Sequence, residues 1–372
     1  MKTETIAVHA GNPADESTGA VISPLITSTT FLRNADGGYT SGYQYGRSAN
    51  PNRAALENVL AALEGGKDAA AFSSGVAAGM TLFQALEPGS HILAPDDMYH
   101  GLRYQLLQVF QGILSVSFVD MSDLAAVENA LQEKTRLIWL ETPSNPLLKI
   151  TDIRAVSAIA KKHNLLVAVD STFASPIFQR PLELGADIVM HSSTKYLGGH
   201  SDIIGGALIC RELNDFWKRI KSIQGLGGAV PSPFDCHLLI RSIKTLPWRM
   251  RAHEQNARLI TDFLYRNRHV EQVFYPGIDT HPGHAIAREQ MSGFGGMFSF
   301  LLKGGEEHAR KVVNATNVFT QATSLGGVES LIEHRYSIEG PESKTPKNLI
   351  RVSVGLENSE DLIADLAQAM EK

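Results

Sequence analysis

The residue with the most distinctive chemical setting in the sequence is Lys195, which follows the short apolar run 188–190. A lysine at the end of a buried strand loses hydration, so its pKa falls and its amine becomes available as a nucleophile. Ser192 and Thr194 supply small hydroxyl groups that can bind a phosphate beside this amine. The alternative interpretation is a surface lysine that follows an edge strand, and this segment alone fits both.

A carboxylate upstream favours the first interpretation. Asp170 ends a second apolar run, 165–169. Pyridoxal 5′-phosphate (PLP) binds a lysine covalently through its aldehyde, and a carboxylate can pair with its protonated ring nitrogen and keep the ring electron-withdrawing. In open α/β sheets, ligands bind beyond the carboxyl ends of the strands, so Asp170 and Lys195 would meet at one edge. The pair therefore predicts a PLP site.

Two segments around these residues carry a family resemblance. Residues 170–176 (DSTFASP) and 192–202 (SSTKYLGGHSD) resemble the Cys/Met-metabolism family of fold-type I PLP enzymes. That family includes cystathionine γ-synthase, cystathionine γ- and β-lyases and methionine γ-lyase. The similarity runs from about Thr5 to the C-terminus. It implies an α/β fold in which helices flank a mostly parallel sheet, with a smaller C-terminal α+β domain and an N-terminal arm.

A glycine-bearing turn adds candidate phosphate donors. The predicted strand 69–72 is followed by Ser73, Ser74, Gly75 and Val76. A helix that starts after such a turn presents free backbone N–H groups to an anion. We therefore expect the N–H groups of Gly75 and Val76 to bind the phosphate.

The resemblance assigns two further residues to the cofactor ring. Tyr99 matches the family tyrosine that stacks on the ring and takes part in proton transfer, although a buried structural tyrosine is the alternative. Asn145 resembles the residue that hydrogen-bonds the 3′-oxygen. His100 is interpreted as a local variation without a ligand role.

The first 50 residues contain a motif of their own. This segment is rich in Gly, Pro, Ser and Thr and shows little periodicity, so it is predicted to be an arm. Tyr45 and Arg47 match the family motif Tyr-x-Arg-x-x-Asn-Pro, and an arginine suits phosphate because its planar fork donates two hydrogen bonds. A surface ion pair is the alternative. The resemblance implies that this arm reaches the neighbouring subunit's PLP phosphate, which makes a homodimer the smallest active unit, within a homotetramer.

Two segments near the C-terminus are candidates for substrate binding. Arg351 lies inside the apolar run 349–354, where an unpaired charge is unfavourable. A clamp on the α-carboxylate of an amino acid would resolve that cost, as the family resemblance implies, and a structural buried ion pair is the alternative. Ser324 belongs to the segment 324–330, which matches the family's substrate-facing loop.

Two departures from the family bear on substrate choice. Thr323 stands where many relatives have a glutamate that can receive the distal ammonium of cystathionine. Arg103, after Tyr99, could attract an anionic distal group such as a succinyl chain. The alternative is that both changes are neutral.

Composition and charge are those of an ordinary globular enzyme. The chain has 372 residues, of which 43% are hydrophobic and 20% charged, with a formal net charge of −5. No basic cluster suggests nucleic acid, and no apolar run reaches the ~18 residues of a membrane span. Cys210 and Cys236 lack disulfide or redox spacing, residues 1–5 lack a signal-peptide core, and no histidine or acidic set has metal-ligand spacing. We expect a cytoplasmic protein with no metal.

The predicted elements place these residues in two domains after the arm. Strands alternate with helical patterns as in a parallel α/β sheet. The predicted strands are 69–72, 91–94, 115–119, 136–140, 165–169, 188–190, 203–209, 297–301 and 349–354, and the predicted helices are 52–64, 124–131, 153–163, 305–315 and 360–370. The predicted division is an arm (1–50), a PLP-binding α/β domain (51–245) and a C-terminal α+β domain (246–372).

The reaction predicted from these residues is γ-elimination or γ-replacement on a sulfur-containing or activated-homoserine amino acid, in transsulfuration. A β-lyase or a methionine γ-lyase is the alternative within the family. A fold-type I aminotransferase is the alternative of another class, and a non-enzymatic PLP sensor is a third. No G-x-G-x-x-G follows an early strand, which disfavours a nicotinamide-dependent oxidoreductase.

Overall fold

A computed structural model describes residues 1–11, 13–340 and 345–372. Seven strands form the larger of two sheets, and all except the edge strand Ser115–Val119 are buried along most of their length. The strands are β1 (Asp68–Phe72), β2 (His91–Pro95), β3 (Ser115–Val119), β4 (Thr135–Glu141), β5 (Leu166–Asp170), β6 (Ile188–His191) and β7 (Gly206–Cys210). Their order in the sheet is β1-β7-β6-β5-β4-β2-β3, and only β7 runs antiparallel to its neighbours. The predicted mostly parallel sheet is confirmed.

Fourteen α-helices accompany the strands in the described part of the chain. They are α1 (Thr3–His9), α2 (Pro51–Glu64), α3 (Gly75–Gln84), α4 (His100–Tyr104), α5 (Leu124–Asn129), α6 (Ile153–Lys162), α7 (Ser175–Phe178), α8 (Asp215–Gly227), α9 (Pro233–Ile243), α10 (Leu246–Tyr265), α11 (His284–Gln290), α12 (Gly305–Ala315), α13 (Arg335–Glu339) and α14 (Ser359–Met370). A π-helical turn covers Gln105–Val109 and a 3-10 turn covers Pro181–Leu184.

Helix starts follow the capping rules. Asn50 caps α2, since its side-chain oxygen accepts the N–H groups of Asn52 and Arg53 and proline occupies the first helical position. Asp152 caps α6 by accepting the N–H of Ala155. These caps fix where each helix leaves its preceding segment.

The second sheet belongs to the C-terminal part of the chain. Its strands are β8 (Val270–Phe274), β9 (Met297–Leu302), β10 (Thr320–Gln321), β11 (Leu331–His334) and β12 (Leu349–Ser353). The order is β10-β11-β12-β9-β8, antiparallel except between β10 and β11. Buried residues of α10, α12 and α14 pack with this sheet in one hydrophobic cluster. The smaller α+β unit is present, while the domain boundaries remain predictions.

Two differences from the sequence-based elements have local causes. The segment predicted as strand 203–209 enters the sheet only at Gly206, because the Gly205 N–H and carbonyl both hydrogen-bond the Thr194 hydroxyl instead. The hydrogen bonds between Gly205 and Thr194 tie the loop that carries Lys195 to the strand that follows it.

The predicted arm also contains a helix, α1, whose Ala7 is buried in the same hydrophobic cluster as residues of α2.

Candidate active site

The carboxyl ends of β4, β5 and β6 open into a cavity of about 500 Å³. The β4–β5 and β5–β6 registers place Glu141 opposite Asp170 and Asp170 opposite Met190, and all three residues line the cavity. The second sheet closes the other side through Arg351 on β12. The site therefore lies where the rule for open α/β sheets predicts it.

Lys195 reaches this cavity from the turn after β6. Its backbone N–H donates to the Ser192 carbonyl (3.1 Å), and its Nζ donates to Ser324 Oγ (2.8 Å). Burial, with the positive charge of Arg351 as the next contribution, lowers the pKa of Lys195 from 10.5 to about 8. Lys195 forms no ion pair with any described residue. With a pKa of about 8 its amine is still mostly protonated near pH 7, but it loses its proton far more readily than an exposed lysine does.

Asp170 is buried beside this lysine segment. Its carboxylate accepts the N–H (3.0 Å) and the hydroxyl (2.5 Å) of Thr172, and the same hydroxyl oxygen accepts the N–H of Ser192 (2.9 Å). Burial raises the pKa of Asp170 despite these hydrogen bonds. A cationic ring nitrogen would offset the cost of this buried negative charge, since no described side chain forms an ion pair with it.

The start of α3 also lines the cavity. Ser74 caps this helix at Ala77, which leaves the backbone of Gly75 and Val76 at its first turn. A Cβ at position 75 would lie 3.0 Å from both Cβ and Oγ of Ser192, so glycine permits the close approach of these two segments. Ser192 and Thr194 line the same region.

Arg351 links the two sheets at the cavity. Its Nη1 donates to Asn145 Oδ1 (3.0 Å), and its Nη2 donates to the Ser324 carbonyl (3.0 Å) and lies 2.9 Å from Glu333 Oε1. Glu333 stands opposite Arg351 in the β11–β12 register. Burial lowers the pKa of Arg351 to about 10, so its guanidinium stays charged at neutral pH. The buried ion pair considered from the sequence is therefore present, and the carboxylate clamp remains a prediction.

Tyr99 lies at the rim of the cavity, where 38% of its surface is exposed. Its backbone N–H donates to Glu141 Oε2 (2.7 Å), and its ring centroid is 4.7 Å from that of His100. Burial and the neighbouring Asp170 raise the pKa of Glu141 well above its ordinary value, which favours the neutral acid. Sequence reasoning missed Glu141, although its place at a strand end was a usable signal.

Three predicted residues lie away from the cavity within this chain. Arg47 donates to the Gly225 carbonyl, and its guanidinium carbon lies 5.8 Å from the centroid of the exposed Tyr45 ring. Arg103 lies over Phe118, with its guanidinium carbon 3.8 Å from the ring centroid. Arg103 does not line the cavity, so the structure does not place it where the substrate would bind.

Arg335, which sequence reasoning missed, does line the cavity, and so does Thr323. Arg335 is the first residue of α13, and its Nη1 donates to Glu333 Oε1 (2.8 Å). Nothing in its immediate sequence signals a site, because its position depends on how β11 pairs with β12.

Within residues 1–11, 13–340 and 345–372, no group of three or more His, Cys, Asp or Glu side chains is arranged to bind a metal. No helix in those same ranges is long and apolar enough to cross a membrane. Cys210 and Cys236 are buried and unpaired.

Taken together, these side chains suit a ligand with an aldehyde, a basic ring nitrogen and a phosphate. Lys195 supplies an amine, Asp170 an anion, and Gly75, Val76 and Ser192 supply donors around one end of the cavity. PLP has these three groups, so the residues fit this cofactor.

Comparison with known proteins gives the same family. The family model described as Cys/Met metabolism PLP-dependent enzyme matches residues 4–371. Cystathionine gamma-synthase of Mycobacterium leprae is 47% identical over 98% of this chain and 96% of its own length. Cystathionine gamma-lyase of Dictyostelium discoideum is 46% identical over 100% of this chain and 98% of its own. The crystal structure of metB from Corynebacterium glutamicum superposes with a TM-score of 0.97 at 44% identity, covering 100% of this chain and 98% of the other.

Proposed function

Because the chain belongs to the Cys/Met metabolism family of PLP-dependent enzymes, we propose that it catalyses γ-elimination or γ-replacement on a sulfur-containing or activated-homoserine amino acid. The observation that carries this proposal is that one cavity contains Lys195, Asp170 and Arg351. The two similar relatives are named for γ-chemistry, one a synthase and the other a lyase.

PLP, when bound, supplies the electron sink that stabilises negative charge at the substrate Cα. Asp170 would pair with its ring nitrogen, and Asn145 would donate to its 3′-oxygen. The backbone of Gly75 and Val76, with the hydroxyls of Ser192 and Thr194, would bind its phosphate. Together these groups would fix the orientation of the ring.

Lys195 would move the protons of the reaction. In its neutral form the Nζ amine would accept the Cα proton of the substrate and return it to another carbon. A pKa of about 8 suits this role, because the amine can then both accept and release a proton near neutral pH. Ser324 orients Nζ through the 2.8 Å hydrogen bond.

Arg351 would bind the substrate α-carboxylate through its guanidinium, and Tyr99 would stack on the ring at the rim. The substrate side chain would then extend into the rest of the cavity. There a leaving group at Cγ can depart, and a thiol or water can enter.

We also propose that two subunits share each site. Tyr45 and Arg47 lie outside the cavity of their own chain, in the N-terminal segment, and a planar guanidinium suits a phosphate. A homodimer would then be the smallest active unit, within a homotetramer. Mixing inactive Arg47→Ala subunits with inactive Lys195→Ala subunits should restore part of the activity through hybrid dimers. If subunits exchange and no activity returns, Arg47 acts within its own chain.

The cellular site that fits best is the cytoplasm, because both cysteines are unpaired and buried. Fractionation of the source cells tests this assignment, and a secreted product would contradict it.

Product analysis tests the reaction. The loaded enzyme is incubated with cystathionine, with O-succinylhomoserine plus cysteine, and with methionine, and the keto acids and thiols are identified. γ-Elimination yields 2-oxobutanoate, whereas a β-lyase yields pyruvate from cystathionine. γ-Replacement yields cystathionine from the second mixture. A requirement for a keto acid as second substrate, with transfer of the amino group, would instead identify an aminotransferase.

A further inference from the structure

A second arginine lies in the wall of the cavity that contains Lys195 and Arg351. Arg335 follows β11 directly, and only 5% of its side chain is exposed. Its charge lowers the pKa values of both Lys195 and His100, so its field reaches the reacting amine and the rim. None of the functions assigned above uses this side chain.

Two carboxylates fix the orientation of Arg335 while leaving one nitrogen available. Nη1 donates to Glu333 Oε1 (2.8 Å) and Nε donates to Glu339 Oε1 (2.6 Å). Nη2 makes no hydrogen bond to any described residue. A guanidinium has five N–H donors in a rigid plane, so anchoring at Nε and Nη1 aims the two donors of Nη2 in a fixed direction.

The charges of this wall are balanced, but not all of its hydrogen-bond donors have an acceptor among the described residues. Glu333 Oε1 is shared by Arg335 and Arg351, at 2.8 and 2.9 Å. The two arginines and the two glutamates, Glu333 and Glu339, cancel, and the neutral Thr323 adds no competing charge nearby. One carboxylate bound at Arg351 still leaves the Nη2 donors of Arg335 without an acceptor.

We propose that Arg335 forms a second anion subsite, which binds a carboxylate at the far end of the substrate side chain. This inference rests on the proposed function, because it takes the α-carboxylate to occupy Arg351. The substrate class is then amino acids that carry two carboxylates, such as O-succinylhomoserine or cystathionine. The subsite supplies the anion recognition that the sequence suggested for Arg103, whose side chain lies over Phe118 instead.

Two amino acids without a leaving group test the subsite in the PLP-loaded enzyme. L-2-aminoadipate and L-norleucine have equal chain lengths, and only the first has a distal carboxylate. Their binding is measured from changes in the visible band of the bound cofactor, without turnover. A charged hydrogen bond predicts that the wild type binds aminoadipate about 10- to 100-fold more tightly than norleucine.

Arg335→Met should remove this preference while norleucine binding stays the same. Arg335→Lys should retain part of the preference for aminoadipate because the positive charge stays, and should lose the rest because a lysine has no planar fork. Arg268→Met is the matched control, because it removes an arginine from an exposed ion pair with Glu371. Far-UV circular dichroism and the cofactor band report whether each variant is folded and loaded.

A gain-of-affinity variant keeps the test valid if Arg335→Met does not fold. Glu339→Gln keeps an acceptor for Arg335 Nε but removes a negative charge. Because Glu339 also acts on Arg351, both ligands should bind more tightly, and the gain should be larger for aminoadipate.

The outcomes distinguish failure of the Arg335 subsite from failure of the proposed function. Equal wild-type affinity for the two ligands, or equal losses in Arg335→Met, would overturn the subsite and leave an amino-acid enzyme in place. A loaded wild type that binds neither ligand would overturn the proposed function together with the subsite.

Discussion

On the wall that the first sheet contributes to the cavity, Lys195 and Asp170 each lack an ion-pair partner among the described residues. On the wall from the second sheet, Arg335 and Arg351 both contact Glu333 Oε1. We call these the first-sheet wall and the second-sheet wall. Burial lowers the pKa of Lys195 to about 8 and raises that of Asp170, which favours their neutral forms. Burial also lowers the pKa of Arg351, but only to about 10, so it stays charged, and the carboxylates around Arg335 more than offset its burial and raise its pKa.

This difference follows from what each wall must do. A group that transfers a proton has to change its protonation state near the working pH, so a strong counter-charge would hinder it. A group that binds a substrate carboxylate has to stay charged when buried, and a fixed carboxylate nearby keeps it so. The cavity thus has a wall suited to chemistry and a wall suited to recognition.

The largest expected effect is on the first-sheet wall. Lys195→Ala should lower turnover by about 10²–10⁴-fold, because the amine that moves the protons is lost. It should also abolish covalent attachment of PLP, as measured by borohydride reduction followed by peptide mass analysis of the wild type and the variant.

Lys149→Ala is the matched control for this change. Lys149 lies near the same edge of the sheet but is paired with Asp96 and Asp120, outside the cavity. The Lys149→Ala variant should remain active, and borohydride should still fix PLP on its Lys195. Cofactor that is still attached covalently in Lys195→Ala would move the attachment site to another lysine.

Two adjacent carboxylates of the first-sheet wall should respond differently to neutral replacement. Asp170→Asn should lower turnover by about 10²–10³-fold, since the negative charge opposite the ring nitrogen is lost. Glu141→Gln should retain most of the activity and the cofactor spectrum, because its carboxyl is already favoured as the neutral acid and Gln can still accept the Tyr99 N–H. Cofactor spectra and turnover rates of both variants test this difference. If Glu141→Gln loses as much activity as Asp170→Asn, both carboxylates act as anions.

The second-sheet wall should show smaller effects, mainly on ligand binding. Arg351→Met should weaken binding of both aminoadipate and norleucine by ~1.5–3 kcal/mol, because both contain the α-carboxylate. PLP should remain attached, and Arg335→Met should differ by affecting aminoadipate alone. Unchanged norleucine affinity in Arg351→Met would mean that the α-carboxylate binds elsewhere and that the Glu333 pair is structural.

The sequence predicted the parts of the molecule that local pattern controls. The parallel sheet follows from strand patterns that alternate with helical ones, and the cofactor follows from Asp170 and Lys195 after two apolar runs. The fold type follows from the family resemblance of residues 170–176 and 192–202. All three are confirmed. The cavity also contains most of the predicted site residues, whose individual roles remain predictions.

The second-sheet wall was harder to predict, because its geometry depends on pairing between distant strands. Glu333 meets Arg351 through the β11–β12 register, and Arg335 takes its direction from Glu333 and Glu339. The side chain of Arg103 depends on the rotation of α4, which turns it toward Phe118. Tyr45 and Arg47 cannot be assigned from one chain, since their predicted target is in a neighbouring subunit.

The smallest expected effect is a shift along the pH axis. Attachment of PLP to the cofactor-free protein requires the neutral Lys195 amine, so its rate should rise with pH and level off above a midpoint of about 8. Burial causes most of this lowered pKa, and the Arg351 charge contributes next, ahead of Arg335. Arg351→Met should therefore move the midpoint upward, and Arg335→Met should move it upward by less. Stopped-flow absorbance between roughly pH 6 and 10 measures the rate, with butylamine and free PLP as the reference for the cofactor's own titration. A wild-type midpoint near 10.5 would show that the first-sheet wall leaves its lysine hydrated, which would remove the contrast between the two walls.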